Sequence, residues 1–406
     1  MAGDFEAPRQ SSSAAARIAR AAVGLVLAVV AVVGGYALFA GSGGVGVGAG
    51  GAASGDLAPV AELYDALTSD AVDAPDEEEL IDGAIDGMLD ELDDPYADYF
   101  SAEDFEDFNA SLEGTFSGVG LMLTDTPDGP VIVSVLEDTP AQRAGIEEGE
   151  RIVEVDGEDV SDEPLEQIVA KVKGEPGTTV SLGLEGGDAG PRTIEVTRAE
   201  FDVPLTMTEM LDGDVGYVDL LQFVNGSGET VRREVRSLLD DGASGIVLDL
   251  RGNPGGLLNE AVDVASVFIE DGEIVTVEQR GGQRETLTAV EDALEEVPLV
   301  VLVDGRSASA SEIVAGAIQD RDRGTIVGET TFGKGSVQTI EQFSDGSGAK
   351  FTTARYFTPS GDSIEGTGVE PDVTVEAAAD PPAEPEEDPQ VEAAVEEINE
   401  LVTSGG

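Results

Sequence analysis

Two stretches of this chain offer water almost nothing: Gly245–Leu250 (GIVLDL) and Val297–Val303 (VPLVVLV). A strand that is apolar on both sides has to be covered on both faces, which is the habit of parallel sheets flanked by helices. Each run leads through a turn into a helical pattern. After the first come Arg251-Gly252-Asn253-Pro254-Gly255-Gly256 and a helix over Asn259–Phe268. After the second come Asp304-Gly305, a cluster of serines and a helix from Ala310 to Gln319. Gly213–Phe223 and Thr325–Gly328 read as further strands and Glu229–Leu239 as an amphipathic helix. Strands alternating with helices predict an α/β core.

At 406 residues and 41% hydrophobic content, the chain has room for more than this core. Residues 1–20 are polar, with Arg9, Arg17 and Arg20 as their cations. Ala21–Ala40 then runs without a charge, long enough to cross a bilayer once. Cations before it and none after predict a cytoplasmic N-terminus, with the bulk of the chain on the outer side of the cell membrane. A cleaved signal peptide is the rival reading. Residues 41–55 are a Gly/Ala/Ser tether. Residues 56–113 are acidic and helical in pattern, ending in the aromatics Tyr96, Tyr99, Phe100, Phe105 and Phe108. They suit an arm that packs on the rest of the chain or forms a homodimer. Short strands occupy 114–199, the α/β pattern 200–376, and an acidic Pro-rich linker with a terminal helix 377–406. The expected fold is a multidomain α/β (α+β) protein.

The formal net charge is −63. Such a chain repels nucleic acid. An acidic surface with few lysines is the pattern of a protein working in high salt, where screening removes self-repulsion.

Histidine and cysteine are both missing. A Ser-His-Asp triad, a Cys-His pair and a His-ligated zinc site are therefore excluded, and neither metal nor cofactor is expected. Nucleophilic hydrolysis would need another base, and lysine serves when burial leaves it neutral. Only Lys171, Lys173, Lys334 and Lys350 exist, against seventeen arginines, which keep their charge. Lys334 lies between Gly333 and Gly335, twenty-five residues after Ser309. The spacing alone does not choose among Ser307, Ser309 and Ser311. Ser309 and Glu312 also fit a capping box, in which the serine only satisfies an amide.

Two sets of motifs resemble known families. Gly118-Val119-Gly120-Leu121, Pro140-Ala141-x-x-Ala144-Gly145 and Gly149-Glu150-x-Ile152-x-x-Val155-Asp156-Gly157 resemble a bacterial PDZ domain. In such domains the first motif cradles a peptide's terminal carboxylate with backbone N–H groups, and the next strand pairs with the peptide. With this module, LDLRGNPGG, SASASE and TFGKGSVQ in order, Leu57–Leu401 resembles the carboxy-terminal processing peptidases, or tail-specific serine proteases. The resemblance implies a crotonase-like core, Ser309 as nucleophile, Lys334 as base and Gln338 as the third member. It also implies oxyanion donors at Ala310 and Gly255, protein substrates with exposed C-termini, and no cofactor. If Lys334–Gln338 is extended, Gln338 faces the same side as the lysine and can orient it. The flanking glycines would let the backbone pass close to the nucleophile. Relatives can be switched by a basic residue of the PDZ domain, for which Lys171 and Lys173 are the candidates. A PDZ adaptor with an inactive core and a crotonase-type acyl-CoA enzyme are the competing readings.

Overall fold

The computed structural model describes residues 57–404, apart from 74, 125–129, 162, 187–189, 291–292, 295 and 379–384, together with Gly35–Tyr36. The expected membrane span Ala21–Ala40 therefore lies outside the described residues, save for those two. They form a two-residue strand between Gly256–Leu257 and Gln338, where the reading expected helix. The sequence there is a Gly-Gly pair, a poor helix former, and the edges on either side have backbone groups to bond. Among the described residues, no helix is long and apolar enough to cross a membrane.

The core is built on one sheet. Its strands are β1 (Val215–Leu220), then helix α1 (Ser227–Asp240), β2 (Gly245–Asp249), α2 (Leu258–Ala265), β3 (Leu299–Val303), α3 (Ala310–Asp320) and β4 (Thr325–Gly328). β1 to β4 are parallel neighbours in chain order, with Val373–Thr374 parallel beyond β4 and Thr206–Leu211 antiparallel beyond β1. Alternate residues take opposite faces. Leu248, Val301 and Val303 pack under α1 to α3 with Val231, Val264 and Val314. Val247, Val300 and Leu302 face the other way, toward Val391, Ala394 and Ile398.

A second sheet holds Glu273–Gln279, Arg284–Thr288, β5 (Ser336–Gln342) and β6 (Gly348–Phe357). The helix at the chain's end, α4 (Pro389–Ser404), carries those three residues and closes the open face of the first sheet.

The 56–113 region is helical over Ala58–Asp70, Glu77–Asp90 and Ala102–Leu112. Its aromatic end docks on the core. Asp98–Phe100 adds to the edge of β6, and Phe100, Phe105 and Phe108 pack with Leu257 and Ile340. The PDZ region is an antiparallel sheet with helix Leu165–Val172 closing over Ile132, Ile152 and Leu182. The segments entering and leaving it, Thr115–Gly118 and Ala199–Asp202, pair as a two-stranded ribbon.

Candidate active site

In a parallel sheet the functional loops gather at the C-terminal strand ends. Here β2 ends in the Asn253–Gly256 turn, β3 in the serine cluster and β4 in the loop that reaches Lys334. Because the three strands are neighbours, the three loops touch. Asn253 O accepts from Ala308 N (3.1 Å), and Ser307 O from Phe332 N (3.0 Å).

The hydrogen bonds separate the three serines. Ser307 Oγ donates to Leu250 O (2.7 Å) and accepts from Asp304 N (2.9 Å). Ser311 Oγ donates to Asn253 O (2.9 Å). Both hydroxyls tie one loop to the next. Ser309 stands between them at φ 54°, ψ −111°, an unusual backbone for a non-glycine residue. Strain of that kind collects at functional positions, and sharp turns of this sort lift nucleophiles out of a chain. The capping box does form, with Glu312 accepting from Ser309 N at 2.8 Å.

Glu312 does more than cap. It is fully buried, and its carboxylate accepts from Thr331 Oγ1 (2.5 Å), Gly333 N (2.7 Å) and Lys334 N (2.9 Å) as well. A single oxygen, Oε2, takes both the Ser309 and the Lys334 amides. The two backbone nitrogens can be no farther apart than those two bonds laid end to end. Burial pushes the Glu312 carboxyl up, and the four donors pull it back toward the charged form.

Lys334 is 4% exposed. Burial, and next the nearby Lys350 ammonium, lower its pKa from 10.5 to about 8. At pH 7 about one molecule in ten then carries a neutral amine, a population a general base can use. The amine lies 4.4 Å over the centre of the Tyr96 ring. Among the described residues, no hydrogen bond joins it to Ser309 Oγ or to Gln338. The side-chain amide of Gln338 instead donates to Ser336 Oγ (3.0 Å) and Thr352 Oγ1 (3.1 Å). A register shift between Val337 and Gln338 breaks the two-residue alternation on which the expected i, i+4 facing depended. Gly333 and Gly335 do allow close passage, but against the Glu365–Gly368 loop rather than the nucleophile.

Gly255 (φ 100°) presses on the Ser309 loop; a Cβ there would meet Ala308 O at 2.7 Å and Ala310 N at 2.9 Å. Its own amide donates to Asn253 Oδ1 (2.9 Å). Ala310 N, at the first turn of α3, has no acceptor among the described residues. The Gly118–Leu121 loop lines an apolar groove of about 110 Å³ with Leu123, Val169 and Val172, and Lys173 is part of the same lining. Lys171 is turned onto its own domain's Glu158 and Glu163.

The family model of peptidase family S41 matches residues 214–375, a PDZ domain matches 131–185, and the N-terminal domain of the activating protease CtpB matches 48–104. The chain is 38% identical over 329 residues to a carboxy-terminal-processing protease of Bartonella bacilliformis, covering 79% of this chain and 75% of that one. This chain belongs to peptidase family S41. It is a serine-type peptidase of the carboxy-terminal processing group. It is also 35% identical over 316 residues to the carboxy-terminal processing protease CtpA of Bacillus subtilis, covering 78% and 68% of the two chains. Among solved structures, the photosystem II D1 C-terminal processing protease is similar, with TM-score 0.52 and 31% identity over 83% of this chain and 90% of that one.

The peptidase site contains residues that the sequence reading left out. Glu312 entered only as half of a cap. Tyr356 is buried on β6 and donates to Lys334 O, with the Ser309 side chain beside it. The cap spacing marked Glu312 but not its bonds to the Lys334 loop, and Tyr356 carries no spacing signal, since it comes from β6 and meets the site only in three dimensions. Tyr96 entered only among the aromatics that end the acidic arm, and Asp94, two residues before it, was not singled out for the site.

Proposed function

We propose that this peptidase hydrolyses peptide bonds near the C-terminus of protein substrates, with Ser309 as nucleophile and Lys334 as general base. The observation that supports the reading is the Glu312 carboxylate, which accepts from the backbone amides of both the strained Ser309 and Lys334, whose desolvated amine is half neutral near pH 8. Substrate would draw the amine from the Tyr96 ring to Ser309, since catalytic hydrogen bonds tighten in the Michaelis complex. Neutral Nζ takes the Ser309 proton as Oγ bonds to the carbonyl carbon. Ala310 N, and Gly255 N once released from Asn253, steady the oxyanion. The C–N bond then breaks and the ammonium protonates the departing amine. Water, deprotonated by Lys334, attacks the ester and frees Ser309. Gln338 would orient the amine only once its side chain is released from Ser336 and Thr352, within a core we read as crotonase-like.

The apolar PDZ groove would hold the substrate's last residues, its Gly118–Leu121 amides facing the free carboxylate. Ala21–Ala40 would anchor the enzyme with this part outside the cytoplasm, in a habitat of high salt. The first two helices would pair two copies. The test is cleavage of an unfolded protein with an apolar C-terminus, free or amidated. We expect Ser309→Ala to cleave neither and the wild type to prefer the free acid at least tenfold. Equal cleavage of both would remove the carboxylate from the account, and an active Ser309→Ala would remove the nucleophile.

A further inference from the structure

The turn Asp94-Pro95-Tyr96 belongs to the N-terminal arm, yet it is fixed to the catalytic sheet. Asp94 accepts from Thr352 N (2.7 Å) and Thr352 Oγ1 (3.2 Å) on β6, and from Tyr96 N (3.1 Å) within the turn. Thr352 Oγ1 is the same atom that accepts from Gln338. Two residues on, Asp98 pairs with Lys350 in the β6 register and forms an ion pair with it (3.1 Å). The turn thus reaches Tyr96 across to Lys334, with its ring face 4.4 Å from the amine.

We propose that Tyr96 is a positioning residue for the base: its ring shuts the resting Lys334 amine from water and holds it in the site until a substrate carbonyl arrives. This rests on the reading of Lys334 as the base. An aromatic face suits the task because it tolerates both an ammonium and a neutral amine, giving the first a modest attraction and the second a dry contact. A carboxylate in the same place would hold the charge permanently. The other charged groups facing the amine are Asp94 on the same turn, Glu312 on α3, Glu365 on the loop after β6, and Lys350 on β6. Tyr356, also on β6, holds the Lys334 carbonyl. Changing the Tyr96 ring alters none of these.

The experiment is the pH profile of kcat/KM for peptide cleavage by the full chain, wild type against Tyr96→Phe and Tyr96→Ala. The wild type should rise through an acidic limb near pH 8. Tyr96→Phe, which keeps the ring, should retain the limb within a few tenths of a unit. Tyr96→Ala wets the amine and should move the limb up by about one unit or more, with a loss of about tenfold at pH 7 that recovers at high pH. If the alanine variant melts early, Tyr96→Gln, which keeps bulk but brings polar atoms to the amine, should give the same upward shift. An unmoved limb, with activity lowered equally at every pH, would make Tyr96 a merely structural part and overturn the proposal. Higher activity at every pH in Tyr96→Ala would overturn it too, making the ring a latch. A wild type with no limb at all would fail the lysine base itself, a separate result.

Discussion

Lys334 is kept where the fold would rather not have a cation. Its pKa near 8 in the folded chain lies below the 10.5 of a free lysine. Below pH 8 both states are protonated and the fold carries the whole penalty. The penalty fades as pH rises from 8 to 10.5 and is gone above that. A shift of this size corresponds to about 3 kcal/mol, less whatever the Tyr96 ring returns. Lys334→Met should therefore raise the melting temperature at pH 7 while abolishing cleavage, and the gain should vanish near pH 11. Thermal melts across that range check it; a destabilised methionine variant at pH 7 would mean that the ammonium is well solvated. The same trade between stability and activity is common where a catalytic group is buried.

Among the elements, the β2 turn and α4 depend on one guanidinium. Arg251 pairs with Asp249 (2.5 Å) at the end of β2 and with Asp388 (2.7 Å) just before α4, and donates to Gln390 Oε1 (2.8 Å). Burial raises the Asp249 carboxyl, but Arg251 outweighs it and holds the group below its usual range. Arg251→Ala would leave Asp249 buried with the Tyr217 hydroxyl and the residue-251 amide but without a countercharge, a loss of about 3–5 kcal/mol, read by urea denaturation. A loss under about 1 kcal/mol would show that α4 holds on through Val391, Ala394 and Ile398 alone. The sequence announced these elements unevenly. β2, β3 and α3 were legible because apolar runs and small-residue turns are local signals. The PDZ region and the peptidase family were legible through motifs that resemble known families, and the parts of Ser309, Lys334 and Gln338 rest on that resemblance. The role of α4 as a layer of the core was not, because Val391, Ala394 and Ile398 look like any amphipathic helix until the open face of the sheet is known. Local spacing alone did not separate Ser309 from Ser307 and Ser311, since the bonds that occupy the other two hydroxyls go to carbonyls at Leu250 and Asn253 that only the fold brings near.

At the scale of the whole molecule, the first two helices stand apart from the rest. Neither contributes a buried residue. Leu63 is 59% exposed and Met88 58%, with Leu57, Val60, Ile81 and Leu92 similarly open. Apolar stripes of this kind on a chain with 84 acidic residues call for a partner surface. If the proposed pairing holds, sedimentation of the full chain should give a dimer whose dissociation constant falls as salt screens the net charge of −63. Leu63→Asp with Met88→Asp should yield monomers. A wild type that stays monomeric at every salt concentration would exclude the homodimer.

The base chemistry itself is tested most directly by the pH dependence of kcat/KM for the wild type beside Lys334→Arg, both shown to be folded. The account predicts that the wild type rises with unit slope through about pH 8 and that the arginine variant, which cannot give up its proton, stays at background throughout. A flat wild-type profile from pH 6 to pH 9, or an arginine variant with measurable turnover, would contradict it.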